Sequence, residues 1–144
     1  MSDIVWAINP KRDHLRDLVQ RMRRFGEDAL QARNIAFRFH APSLEQNIKL
    51  EADMRREVFL IFKESINNMV RHSACTEAEI DFQIEEGWLV LKLSDNGKGL
   101  DLTHESEGQG LLSMRQRAKK LGGELDIRSP NGQGTTVTLR VPLR

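Results

Sequence analysis

Residues 78–93 read Ala78-Glu-Ile-Asp-Phe-Gln-Ile-Glu-Glu-Gly-Trp-Leu-Val-Leu-Lys-Leu93, and here the apolar period of the chain changes. Ile80, Phe82 and Ile84 alternate with polar residues, Glu86-Gly87 supplies a two-residue turn, and Trp88 to Leu93 returns. This is a β-hairpin pattern. Upstream the spacing is helical: Phe59, Phe62, Ile66, Met69 and Val70 make one stripe, which predicts a long helix from about Ala52 to His72. The juncture of a 3.6 period with a period of two decides the fold class.

Working outward, Asn9-Pro10 interrupts the N-terminal segment, and Asp13 can cap a helix carrying Leu15, Leu18, Val19, Met22, Phe25, Ala29 and Leu30 to about Arg33. Ile35 to His40 alternates and predicts a strand, and Pro42-Ser43 opens a loop. Beyond the hairpin, a polar stretch runs from Asp95 to Gln109. A third helix carries Leu111, Leu112, Met114, Ala118 and Leu121 and stops at Gly122-Gly123. A last hairpin pairs Glu124–Arg128 with Thr135–Val141 across Asn131-Gly132. The expected fold is α+β: a two-layer α/β sandwich, its mixed and mainly antiparallel sheet covered on one face by helices.

Composition sets the boundaries. A chain of 144 residues is one domain's length, and 22 Lys+Arg against 21 Asp+Glu leave a net charge of +1. That balance supplies no bulk attraction for nucleic acid or an anionic membrane. No apolar run approaches the roughly 20 residues that a membrane helix needs, and Met1–Pro10 lacks the form of a secretory signal. The single cysteine, Cys75, excludes an internal disulfide or a multi-cysteine zinc site. A soluble, cytoplasmic domain in a reducing compartment is expected, with no nucleic acid partner and no membrane contact of its own.

Chemistry concentrates in three places. On the second helix, Glu64, Asn68, Arg71 and His72 fall together opposite the apolar stripe at about 100° per residue. Asn68 could offer an oxygen to Mg²⁺, Glu64 could orient or deprotonate a water or hydroxyl, and Arg71 and His72 could meet phosphate. The same face also reads as a solvated helix surface, although two mid-helix asparagines, Asn67-Asn68, ask for a local reason. Asp95-Asn-Gly-Lys-Gly-Leu100 follows a strand, where its aspartate could accept a hydrogen bond from an exocyclic amine. Gly108-Gln-Gly-Leu-Leu112 precedes the third helix, whose N-terminal amides would favour phosphate. Either glycine segment alone is also an ordinary turn. Neither the Gly-x-x-x-x-Gly-Lys-Ser/Thr loop nor Gly-x-Gly-x-x-Gly is present.

In order, Glu64-Ser-Ile-Asn-Asn68-Met-Val-Arg-His72, Asp95-Asn-Gly97-Lys-Gly99, Gly108-Gln-Gly110-Leu and Gly134-Thr135-Thr136 resemble the ATP-binding (Bergerat) fold. Type II topoisomerases, heat-shock chaperone ATPases, sensor histidine kinases and mismatch-repair ATPases share that fold. The likeness covers about Leu50 to the C-terminus. Phe62 to Ser73, Gly110 to Ala118 and the short loop between Gly99 and Gly108 resemble histidine kinases of the nitrate- and membrane-fluidity-sensor subgroup. Residues 1–10 resemble the end of a dimerisation helical hairpin, leaving 11–144 as the catalytic domain.

The resemblance implies the following roles. Glu64 is catalytic, positioning water or metal, and Asn68 holds Mg²⁺. Arg71 and His72 lie near the phosphates of ATP. Asp95 recognises the adenine amino group, with Thr135 helping through a water. Gly97, Gly99 and Leu100 shape the adenine pocket. Gly108, Gln109 and Gly110, with Leu111, close over the phosphates, and Lys98 joins them. The γ-phosphate would pass to a histidine on a dimerisation domain, then to a response regulator.

The family's phosphoacceptor is a histidine followed by an acidic residue on a dimerisation helix, and none of the 4 histidines fits. His14 precedes Leu15, His40 sits on a strand, His72 belongs to the ATP site and His104 lies in the loop. The chain therefore reads as a monomeric fragment of a homodimeric, membrane-anchored sensor. An anti-sigma-factor-type serine kinase and a degenerate nucleotide-binding interaction module are the alternatives. Arg21, Arg23 and Arg24, and Arg115, Arg117, Lys119 and Lys120, form basic clusters that read as solvated faces or docking surfaces.

Overall fold

The computed structural model describes residues 14–41, 48–98, 105–129 and 134–143, with the backbone alone at 72–73 and 105–109. The order is α1 (Leu15–Gln31), β1 (Ala36–His40), α2 (Ala52–Asn68), a π-helical turn (Met69–Ser73), β2 (Glu77–Glu85), β3 (Trp88–Asp95), α3 (Glu105–Lys120), β4 (Glu124–Arg128) and β5 (Thr135–Pro142). The five strands lie in the order β1-β2-β3-β5-β4. Only β1 and β2 are parallel. Parallel neighbours need a crossover, and α2 provides it. The α+β sandwich with a mainly antiparallel sheet is as the periodicity predicts.

One sheet face is apolar and covered. Ile80, Phe82, Leu89, Leu91, Leu93, Leu139 and Val141 are fully buried against Leu18, Met22, Val58, Phe59, Ile61, Phe62 and Ile66 of α1 and α2. Phe25 stands edge-on to Phe59 and Phe62, with ring centroids 5.9 and 6.4 Å away. On the opposite face the alternation leaves polar residues, among them Glu79, Gln83, Lys92 and Arg140, exposed. The Glu86-Gly87 turn has φ +50° and +83°, the two left-handed residues a tight hairpin demands.

Four boundaries differ from the sequence reading. Helix α1 begins after His14, whose N–H donates to Asp17 Oδ2 at 3.3 Å. The expected cap, Asp13, lies outside the described residues, as does the Asn131-Gly132 turn. Helix α1 ends at Gln31 because Asn34 turns left-handed (φ +58°) and Ile35 N–H closes back on Leu30 O. Helix α2 is α-helical only to Asn68, then widens into a π-turn that Ala74 ends at φ +53°. Val70, placed on the core stripe by periodicity, is only half-buried there, because the wider turn rotates it off that face. Helix α3 begins at Glu105, so Gly108-Gln109-Gly110 fall inside it rather than before it. Two helix-weakening glycines hid that early start.

Candidate functional site

The site forms where α2 crosses the ends of β3 and β5. Ser65, Asn68 and Met69 of the helical arm face Leu93, Asp95, Thr135 and Val137 of the sheet across one narrow cavity of about 10 Å³, roughly the room of a single water. Its walls are apolar through Met69, Leu93 and Val137, and its polar groups are few and convergent. This is the composition of a ligand pocket.

Asp95 closes β3 and is paired in register with Thr135 of β5. Its Oδ1 accepts the Gly97 N–H at 2.9 Å. Burial pushes its carboxyl above the ordinary aspartate range, against the backbone amides of Gly97 and Thr135, which pull it down. Gly134 completes this corner. It holds φ +76°, donates its N–H to Gly97 O at 2.6 Å, and a β-carbon there would collide with the Asp95 carbonyl.

Asn68 is buried, 7% exposed, and lines the cavity. One turn earlier on the helix, Glu64 has Arg71 Nη2 3.5 Å from its Oε1. Arg71 Nε also donates to Asn67 O at 3.4 Å. Gly110 of α3 packs directly on Glu64: a β-carbon on it would sit 2.7 Å from Oε1. Ser65, buried beside them, donates to Ile61 O at 2.9 Å.

The structure thus gathers Asn68, Asp95 and Thr135 into one pocket, while Glu64, Arg71 and Gly110 contact one another one helical turn away. Gly97 belongs to the Asp95 corner and Lys98 is exposed beside it. Gly99 and Leu100 lie outside the described residues, as do the side chains of His72 and Gln109 and the surroundings of Gly108. Leu111 is buried in the core, as its place among the apolar residues of the third helix predicts.

Sequence reasoning passed over Asn96. Its Oδ1 accepts the N–H groups of Thr76 and Glu77, both at 2.9 Å, and its Nδ2 donates to Thr76 Oγ1 at 2.9 Å. It ties the end of β3 to the start of β2, so the Asp95 corner is held from both sides. The Asp-Asn-Gly run carried only a turn signal. A roomier groove of about 270 Å³ lies behind that corner, lined by Arg38, Glu79, Ser94 and Asn96 among others. Asp95 lines both this groove and the smaller cavity.

The family model described as histidine kinase-, DNA gyrase B-, and HSP90-like ATPase matches residues 54–144. The chain belongs to this ATPase family. That stretch holds every group around the pocket. Among curated relatives, the sensor histidine kinase LiaS of Bacillus subtilis (strain 168) is 31% identical over 99 residues, 68% of this chain and 28% of that protein. The sensor protein VraS of Staphylococcus aureus (strain COL) is 32% identical over 99 residues, with the same 68% and 28% coverage. The chain thus spans little more than a quarter of the relatives it matches. The histidine kinase domain from the Erythrobacter litoralis EL346 blue-light activated histidine kinase superposes with a TM-score of 0.73 at 19% identity, covering 88% of this chain and 61% of that one. It shares the fold. Among the described residues, no helix is long and apolar enough to cross a membrane.

Proposed function

We propose that this domain binds Mg·ATP and donates its γ-phosphate to a histidine on a dimerisation domain of its own parent chain. From there the phosphoryl group passes to an aspartate of a response regulator. The observation that carries this reading is the convergence of Asn68, Asp95 and Thr135 on one apolar-walled pocket, with Glu64 one helical turn before Asn68 and against Gly110.

In this reading Asp95 accepts a hydrogen bond from the adenine amino group and Thr135 supports it through a water. The apolar walls take the base, and the pocket widens as it enters. Asn68 suits a divalent ion because its carboxamide offers a hard oxygen and the residue lines the pocket. No group of three or more His, Cys, Asp or Glu among the described residues could hold a metal alone. Mg²⁺ bound through one protein oxygen and the phosphates meets that limit. When bound, the ion neutralises phosphate charge. Glu64 then orients the attacking nucleophile or holds its proton. Arg71, now on Glu64, has the reach and charge to meet a phosphate, joined by Lys98, His72 and the Gly108–Gly110 segment. The chain's own part in catalysis is positioning and electrostatics.

In this reading residues 1–10 close a dimerisation hairpin in a homodimeric, membrane-anchored parent; LiaS and VraS, which carry the sensor name, are longer than this chain. Isothermal titration of the chain with ATP, with and without Mg²⁺, tests the nucleotide reading. Saturable, Mg²⁺-dependent heat is expected, and a flat trace removes it. Adding an isolated dimerisation domain and [γ-³²P]ATP then tests the transfer: acid-labile label is expected, and acid-stable label would mean serine instead.

A further inference from the structure

The basic residues near the end of α3 are not one surface. Arg115, Lys119 and Lys120 are exposed, whereas Arg117 turns back onto α2 and donates from Nη1 to Glu57 Oε2 at 2.7 Å. The Glu57 side chain is only 4% exposed. Arg56 Nη2 approaches its other oxygen at 3.5 Å. A carboxylate at that depth is costly unless paired. Yet an apolar pair of similar size commonly holds two elements together as well or better. With Glu57 buried and Arg117 33% exposed, what this ion pair adds is register, because its partners are satisfied in one alignment only.

That register leads to the site. Across the seam α2 and α3 run in opposite directions: Glu57 meets Arg117, Ser65 Oγ lies 3.5 Å from Met114 Sδ, and Glu64 meets Gly110. Glu57 stands two helical turns before Glu64, and Arg117 two turns after Gly110. The ion pair and the Glu64–Gly110 contact are therefore the same distance apart along both helices. Sliding or rotating α3 on α2 breaks both together.

We propose that Glu57 and Arg117 are positioning residues, a register lock that seats Gly110 against Glu64 and so sets the phosphate side of the nucleotide site. Neither touches nucleotide; both act through the placement of α3. The adenine side stands apart, since Asp95, Thr135 and Gly134 are held by the sheet and by Gly97. Loss of the lock falls on phosphate-bearing ligands and spares adenosine.

This inference rests on the nucleotide reading above, and one set of measurements separates the two. Affinities for Mg·ATP and for adenosine, with melting temperature, are compared in the parent, Glu57→Gln, Arg117→Met and the double variant Glu57→Met/Arg117→Met. Arg117→Met should weaken Mg·ATP by about tenfold or more while adenosine changes by less than about twofold. Glu57→Gln, which keeps a neutral hydrogen bond, should lose less. The double variant is decisive, because an apolar pair should restore the melting temperature without restoring Mg·ATP affinity. A double variant that melts and binds Mg·ATP like the parent overturns the lock, as does adenosine affinity falling in step with ATP. A parent that binds no Mg·ATP overturns the nucleotide reading itself, and with it the lock.

Discussion

Gly110 of α3 lies so close to Glu64 of α2 that a β-carbon on the glycine would stand 2.7 Å from the glutamate's Oε1. The absence of a side chain on one helix thus fixes the carboxylate position on the other. In an ordinary helix interior, Gly→Ala stabilises by roughly 0.5–1 kcal/mol. Here the obstacle is the end of a flexible side chain, so Glu64 can swing aside.

Gly110→Ala should therefore fold at least as stably as the parent and lose phosphotransfer. Melting temperature should be unchanged or higher, while the initial rate of histidine labelling falls by about tenfold or more. A variant with the parent's rate would mean that the contact does not position Glu64.

Asp95 yields a prediction in pH. Its folded-state carboxyl is raised by burial, so the native state binds the proton more tightly than the unfolded chain. Stability from this group is present at low pH and is lost as pH rises through the folded value. At pH 7 the buried charge opposes folding. Asp95→Asn should raise the nucleotide-free melting temperature at pH 7 by a few degrees, with the gain shrinking below about pH 4. Mg·ATP binding should fall at the same time. A lower melting temperature at pH 7 would show that the charge is compensated in the fold.

Asn68→Ala removes a polar side chain that lines the pocket. Stability should change by under about 1 kcal/mol in urea denaturation. The Mg²⁺-dependent part of ATP affinity should disappear, leaving metal-free adenosine binding as in the parent. If Mg²⁺ still enhances ATP binding in the variant, the ion is held elsewhere.

Phe62 is fully buried and packs edge-on with Phe25. Phe62→Ala should cost about 3–5 kcal/mol of stability in urea denaturation. A loss below about 1 kcal/mol would mean that α1 and α2 close over the space.

Much of this was legible in the order of residues. The hairpin of Ile80, Phe82, Leu89 and Leu91 and the buried stripe of Phe59, Phe62 and Ile66 follow from periodicity, because one face of each element must leave water. Asp95 and Asn68 stood out because polar residues sat where a core or helix pattern needed explanation. The contacts made by Asn96 and Gly134 were not legible in the same way. They depend on partners from β2 and β3, distant in sequence.

By itself, the sequence determined which elements form, which faces they bury and which family the motif order resembles. These are local properties, set by side-chain period, turn chemistry and spacing. Tertiary structure alone decided that Arg117, one of a run of basic residues, lies buried-side inward on Glu57. It also decided that Arg71 rests on Glu64 and that Gly110 carries the Glu64 carboxylate. Those pairings join residues from separate elements or across a widened helical turn. Their energies come from desolvation and close approach, and neither exists until the helices are docked on the sheet.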